Sequence, residues 1–140
     1  MPGGAERKAP LPYSEGVTAS TKMEADAQAQ RGFDLLAAGD AAGAARAFRA
    51  AIDADDRHVE AHHGLVRALR DAGRLEHALG AALALTVLTP SDPVAHTALS
   101  ICLQQAGHIP EAENAAARAR VLEWKAELAR PPEEPEERSL

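Results

Sequence analysis

Apolar residues recur along this chain at three- and four-residue spacings, and no stretch alternates apolar and polar among β-branched residues. The pattern predicts helices and no strands. It also repeats. Gly39, Gly73 and Gly107 stand 34 residues apart, and the same period aligns Leu35, Leu69 and Leu103 in a second column. Ala27, Ala61 and Ala95 form a third column, Ala44, Ala78 and Ala112 a fourth, and Ala41, Leu75 and Ile109 a fifth, two residues after each glycine. The repeats run 25–58, 59–92 and 93–126. Each reads as helix, tight turn, helix, because the glycine falls where a first helix must stop and takes the left-handed C′ conformation without a Cβ penalty. Small residues at Ala27, Ala44 and their equivalents let paired helices approach closely, and the leucine column fills the space between turns of the stack. One such unit cannot bury its apolar face alone, so stacking holds the array together.

Helix starts are also marked. Thr21 and Glu24 read as a capping box for the first helix. Asp56 reads as the cap of the third, and Asp92 with Pro93 as N-cap and N1 of the fifth, while Pro110 suits the first turn of the sixth. The third repeat closes at 126 and Pro131 follows, which leaves no room for a seventh helix. The sixth is therefore expected to run unbroken from about Pro110 to Ala129. Its added turns place Val121, Trp124 and Leu128 on one face at i, i+3 and i+7. Trp124 either folds back to plug the end of the stack or serves as a docking surface for a partner or a second copy.

These columns resemble the tetratricopeptide repeat family, whose pattern has small residues at repeat positions 8, 20 and 27, a large one at 24 and proline at 32. Gly32, Ala44, Phe48 and Ala51 match in the first repeat, Leu65, Ala78 and Pro90 in the second, and Leu99, Ser100, Ala112 and Ala119 in the third. The departures are Asp56 in the first, Val66, Ala82 and Leu85 in the second, and Ala116 and Trp124 in the third. In the second repeat they suggest that large and small residues have traded places, with Leu85 compensating for Ala82. The resemblance implies an all-α, right-handed superhelical stack of three helix-turn-helix repeats.

It also implies a concave groove lined by the first helix of each repeat. The implied positions are Asp26, Ala29, Gln30, Phe33 and Leu36, then Glu60, His63, Gly64, Arg67 and Arg70, then Val94, Thr97, Ala98, Ile101 and Gln104. Such a surface is apolar at both ends with two central arginines. It suits an amphipathic peptide carrying an acidic residue near its middle, since arginine grips carboxylates bidentately. The plainer alternative pairs Arg67 with Asp71 and leaves Arg70 solvated. Some family members clamp the carboxyl terminus of heat-shock chaperones with Lys, Asn and Arg. The matching positions here are Ala29, Phe33, Gly64, Val94 and Ala98, none of which can make those contacts. The chain is also similar in size, charge and repeat number to bacterial secretion chaperones.

Composition narrows the function further. The 140 residues fit one domain, and aromatics are only 3% with much of the apolar content in alanine. Such a core needs closely approaching helices. The net charge of −6 lacks the basic footprint of nucleic-acid binding. Cys102 is the sole cysteine, so no intrachain disulfide forms. It is expected to be a buried small hydrophobe and not a nucleophile. His58 and His62 share a helix face near Asp55 and Asp56, and His62 shares a column with His96. No H-E-x-x-H or cysteine pair accompanies them, so no metal or other cofactor is expected. No Gly-rich phosphate loop or nucleophile elbow appears, and the chain does not read as an enzyme. Residues 1–20 read as an extended or flexible leader with a short apolar stretch at Leu11, Pro12, Tyr13 and Val17, and 131–140 as a disordered acidic tail. Neither an h-region nor a membrane-length apolar run is present, so a cytoplasmic location without membrane insertion is expected.

The expected function is that of a protein-binding adaptor or scaffold. Its partner site is Gln30, Phe33, His63, Arg67, Arg70, Thr97, Ile101 and Gln104 in the groove, with Trp124 at the C-terminal end. The alternatives are a client-specific chaperone and a structural subunit that self-assembles through its solenoid ends, the C-terminal helix included.

Overall fold

The computed structural model describes residues 18–133. Within them the chain forms α1 (Ala19–Ala37), α2 (Ala41–Ala54), α3 (Val59–Asp71), α4 (Leu75–Leu88), α5 (Pro93–Gln105) and α6 (Ile109–Ala129). There is no strand among the described residues, and no helix is long and apolar enough to cross a membrane. The apolar stretch from Leu11 to Val17 and residues 134–140 lie outside the described residues. The first helix begins at Ala19, inside the segment expected to be extended.

Each helix packs on its sequence neighbours, and α3 also touches α1 and α5. The three helix pairs therefore stack side by side, α1, α3 and α5 forming one layer and α2, α4 and α6 the other. Gly39, Gly73 and Gly107 adopt φ of 86°, 76° and 89°. At each turn the residue after the glycine donates its N–H to the leucine five positions back: Asp40 to Leu35, Arg74 to Leu69, and His108 to Leu103, at 2.8–2.9 Å. The glycine and leucine columns are thus two halves of one C-terminal motif.

The helix starts differ from the sequence expectation in two places. The capping box of α1 is Thr18 with Thr21, not Thr21 with Glu24. The Thr18 hydroxyl accepts from the Thr21 N–H, and Thr21 Oγ1 accepts from the Thr18 N–H at 2.7 Å. A threonine takes the role usually given to Glu or Gln, and it moves the start three residues upstream. The cap of α3 is His58, not Asp56: His58 Nδ1 accepts from the Ala61 N–H at 3.1 Å. Asp92 caps α5, with proline following in its first turn, as expected. Asp40 caps α2 by accepting from Gly43, a signal that the sequence reading missed. The sixth helix runs to Ala129 as expected.

The core is continuous through the stack and contains no buried polar side chain among the described residues. Phe48 of α2 is fully buried. A Cβ on Gly32 of α1 would lie 2.6 Å from its ring, and one on Gly64 of α3 would lie 2.3 Å away. Both glycines are needed for that close approach. Phe33 closes the same pocket edge-on, its ring centroid 4.8 Å from that of Phe48 and its plane at 73°. One repeat on, Ala82 stands where Phe48 did, and Val66 where Gly32 did. Ala82, Val66 and Leu85 are all buried in the same cluster.

The columns behave differently at the two ends of the array. Ala61 and Ala95 are fully buried but Ala27 is exposed, because no helix precedes α1 among the described residues. Leu69 is fully buried while Leu35 and Leu103 are half-buried. Polar residues stand on both end faces. Arg31 and Asp34 occupy the columns of Leu65 and Ala68, and Glu113 and Arg120 those of Leu79 and Thr86. Terminal repeats need such polar outer faces to stay soluble.

Candidate partner-binding groove

The layer of α1, α3 and α5 presents the surface on which the expected partner site falls. Asp26, Gln30, Phe33, Glu60, Arg67, Val94, Thr97 and Gln104 are exposed, and His63, Arg70 and Ile101 half-buried. Ala29 and Gly64 are buried and offer no side-chain surface. At the α1 end, Asp26, Ala29, Gln30, Phe33, His58 and Glu60 surround a shallow hollow of about 260 Å³.

The groove is cross-braced by polar contacts between successive helices. His58 Nδ1 already accepts the Ala61 N–H, so in the neutral ring the proton sits on Nε2, which donates to the Asp26 carboxylate at 2.8 Å. This ties α1 to the start of α3. His63 Nε2 lies 3.6 Å from Asp92, and Arg70 Nε donates to Gln105 Oε1 at 3.1 Å, tying α3 to α5. Arg70 is thus held, not freely solvated. Arg67 does reach Asp71, but at 3.9 Å and with its side chain 65% exposed. A surface pair of that length is worth under about 1 kcal/mol and yields to a better partner. Gln30 donates to Asp34 at 3.0 Å on the exposed side of α1. The groove therefore holds an aromatic edge at Phe33, an available guanidinium at Arg67, and the apolar pair Val94 and Ile101.

Trp124 lies apart from this surface. It is 65% exposed, and Leu128 and Val121 are also exposed, while Ala112, Ala115, Ala119 and Leu122 supply the buried face of α6. At 65% exposure the indole does not act as a plug for the end of the stack among the described residues.

The remaining histidines and the cysteine have structural work. His62 Nε2 donates to the Asp56 carbonyl at 2.9 Å, and His96 Nε2 to the Pro90 carbonyl at 2.8 Å. The shared column does not bring the two rings together. Each closes its own inter-repeat loop, six residues upstream. No cluster of three metal-ligating side chains is present among the described residues. Cys102 is buried, and desolvation pushes its thiol pKa above the ordinary value against the opposing pull of Arg70. The thiolate is the nucleophilic form, so burial here works against nucleophilic chemistry.

The paired helices, the 34-residue period and the uniform turns define an all-α helical-repeat solenoid. A profile of the tetratricopeptide repeat matches residues 35–97, so that stretch carries the repeat. No curated protein sequence matches it. Among solved structures it is similar to MamA, with a TM-score of 0.72 at 19% identity over 77% of this chain. The chain spans only 63% of that MamA chain. The type III secretion translocator chaperone SycD of Yersinia enterocolitica is similar at a TM-score of 0.70 and 19% identity, over 89% of this chain and 88% of that one. The second tetratricopeptide domain of Spaghetti (RPAP3), bound to an HSP90 peptide, gives 0.69 and 18%, over 74% and 95%. At these identities the likeness is one of fold.

Proposed function

We propose that this protein is an adaptor whose concave groove holds a peptide segment of a partner protein, apolar at both ends and acidic near its middle. The observation that carries this reading is Arg67. It stands exposed in the central helix of the groove, weakly paired, with Phe33 toward one end and Ile101 and Val94 toward the other. Binding, not catalysis, is the function such a surface serves. The peptide-bound domain of Spaghetti has this fold. The carboxylate-clamp positions of this chain are Ala29, Phe33, Gly64, Val94 and Ala98, so an acidic side chain at Arg67 is the better ligand here than a chain terminus.

The test uses three synthetic peptides of one sequence, apolar at both ends, with Glu, Gln or Lys at the centre. Fluorescence anisotropy should rank them Glu, Gln, Lys. Arg67→Glu should invert the order with an unchanged melt, because the side chain is exposed. A flat ranking, or an unchanged one in the variant, removes the groove from the binding surface.

A second reading is favoured by the match to SycD, which spans nearly the whole of both chains. On it the same groove cradles an extended client segment before secretion. The self-assembling subunit is the least supported, because both stacking faces carry charges where the interior repeats carry uncharged residues.

A further inference from the structure

The concave layer is not evenly charged. Asp26, Glu60 and Val94 form one row across α1, α3 and α5, each 34 residues from the next. Phe33, Arg67 and Ile101 form a second row seven residues further along each helix, which is about two turns and therefore the same face. The first row is acidic on α1 and α3 and apolar on α5. In the second row, Arg67 is the cation already assigned to a partner's carboxylate.

Asp26 and Glu60 both line the hollow of about 260 Å³ at the α1 end, with Phe33 and His58 among its other walls. Their side chains are 73% and 75% exposed, and among the described residues their only ion contacts are with His58. In the neutral ring those contacts leave both negative charges in place. Nε2 donates to Asp26 at 2.8 Å, while Nδ1, 3.8 Å from Glu60, is occupied in accepting the Ala61 N–H. The cations nearest in sequence, Lys22 and Arg57, pair with neither carboxylate. Phe33, 37% exposed, supplies an apolar wall. A hollow with an aromatic wall and two uncompensated carboxylates is complementary to a long side chain with an apolar stem and a cationic head. Lysine and arginine lay their methylenes on apolar surface and keep the charge at the wet rim.

We propose that this hollow is a subsite for a lysine or arginine of the partner segment, standing beside the apolar residue that meets Phe33. The inference rests on the concave groove being the partner site, and it refines the ligand. The segment carries a cation at its α1 end, a carboxylate opposite Arg67, and no charge against Val94 and Ile101. The groove then selects for the order of side chains along the segment and not only for their composition.

The test extends the peptide series on the full chain. The Glu-centred peptide is made with lysine, or with norleucine, beside its apolar residue at both ends, so that chain direction does not matter and the two versions share the same stem. Fluorescence anisotropy should show the lysine version binding about fivefold more tightly, the worth of two largely exposed ion pairs. Asp26→Asn combined with Glu60→Gln should erase that advantage and leave the melt unchanged, because asparagine still accepts from His58. Glu113→Gln combined with Glu123→Gln removes the same charge from α6 and should preserve the advantage. Equal affinity for the two versions, while the central Glu, Gln, Lys ranking holds, overturns the subsite and leaves the groove standing. A flat central ranking overturns the groove itself, and the subsite with it. A lysine advantage that survives Asp26→Asn with Glu60→Gln, or is lost in the α6 variant, also overturns the subsite, because the attraction is then to the net charge of −6.

Discussion

The two interfaces between repeats are filled by opposite means. Between α2 and α3 one large ring, Phe48, enters a slot cut by Gly32 and Gly64. Between α4 and α5 the entering residue is the small Ala82, and bulk is supplied by Val66 and Leu85. The first joint is a lock with a single key. The second spreads the same contact over several aliphatic side chains. A slot walled by glycines has no side chains that can relax into a void, whereas aliphatic neighbours can shift. The two joints should therefore fail differently, even though the fold treats them as equivalent.

The largest expected effect is at the key. Phe48→Ala should cost about 3–5 kcal/mol, at the upper end for a buried aromatic, because the glycine walls cannot collapse inward. Leu85→Ala at the second joint should fall nearer the lower end of the ~2–5 kcal/mol seen for Leu→Ala substitutions. Chemical denaturation of both variants measures the difference. If Leu85→Ala is the more damaging, the contrast between the joints is wrong.

Gly64→Ala sharpens the same comparison from the other side. Alanine is the better helix former by about 1 kcal/mol, yet the new methyl would meet the Phe48 ring at 2.3 Å. Overpacking of this kind typically costs ~1–3 kcal/mol. Net destabilisation is expected, partly relieved when Phe48→Leu is added. Additive losses in the double variant would show that the glycine is not there for the ring.

A smaller pair of predictions concerns a device that both joints share. His62→Ala and His96→Ala each remove one bond to a loop carbonyl. Each should lower stability by about 1 kcal/mol, the net worth of one such hydrogen bond. The two losses should match, since the geometry repeats. A clear inequality between the melts would show that the loops are braced by something other than these rings.

The fold was legible because its constraints are periodic. A left-handed turn admits glycine far more readily than any other residue, and three of them at one spacing give the whole architecture. The exchange of bulk between Ala82 and Leu85 was legible for the same reason, as a column that changed size. Local choices with several chemically adequate candidates were not. Thr18 and Thr21 can each cap α1, and Asp55, Asp56 and His58 all lie within reach of the start of α3. Only backbone geometry selects among them. The apolar outer face of α4 was hidden for a different reason. LEHALGAALALTVL is apolar on every side, so its periodicity does not tell the buried face from the open one. Among the groove residues, the composition of the surface could be read from the columns. The brace from Arg70 to Gln105 could not, because it joins residues 35 apart whose pairing depends on how two helices cross.

The smallest predicted effect is a gain, and it comes from comparing the starts of the outer helices. Asp40, Arg74 and His108 are equivalent positions, each following a turn glycine. Their backbones nearly coincide, with φ/ψ of −97/78°, −92/70° and −88/70°. Only Asp40 supplies a side-chain cap, its carboxylate accepting from the Gly43 N–H at 2.9 Å. Arg74 and His108 make no side-chain capping bond, so α4 and α6 begin with their first N–H groups lacking that partner. The exposed Arg74 also places a cation at the positive end of the α4 dipole, where a carboxylate is preferred. Arg74→Asp reverses both defects and should stabilise the protein by about 1 kcal/mol, while Asp40→Ala should destabilise it by a similar amount. One difference limits the gain. Position 43 is glycine, and a Cβ there would lie 2.2 Å from Asp40 Oδ2, whereas the matching position in α4 is His77. An aspartate at 74 must therefore turn its carboxylate slightly away from the rotamer that Asp40 uses. A rise in melting temperature smaller than the fall caused by Asp40→Ala is the expected result. No rise at all would mean that the glycine at 43, and not the shared backbone geometry, is what makes the first repeat's cap work.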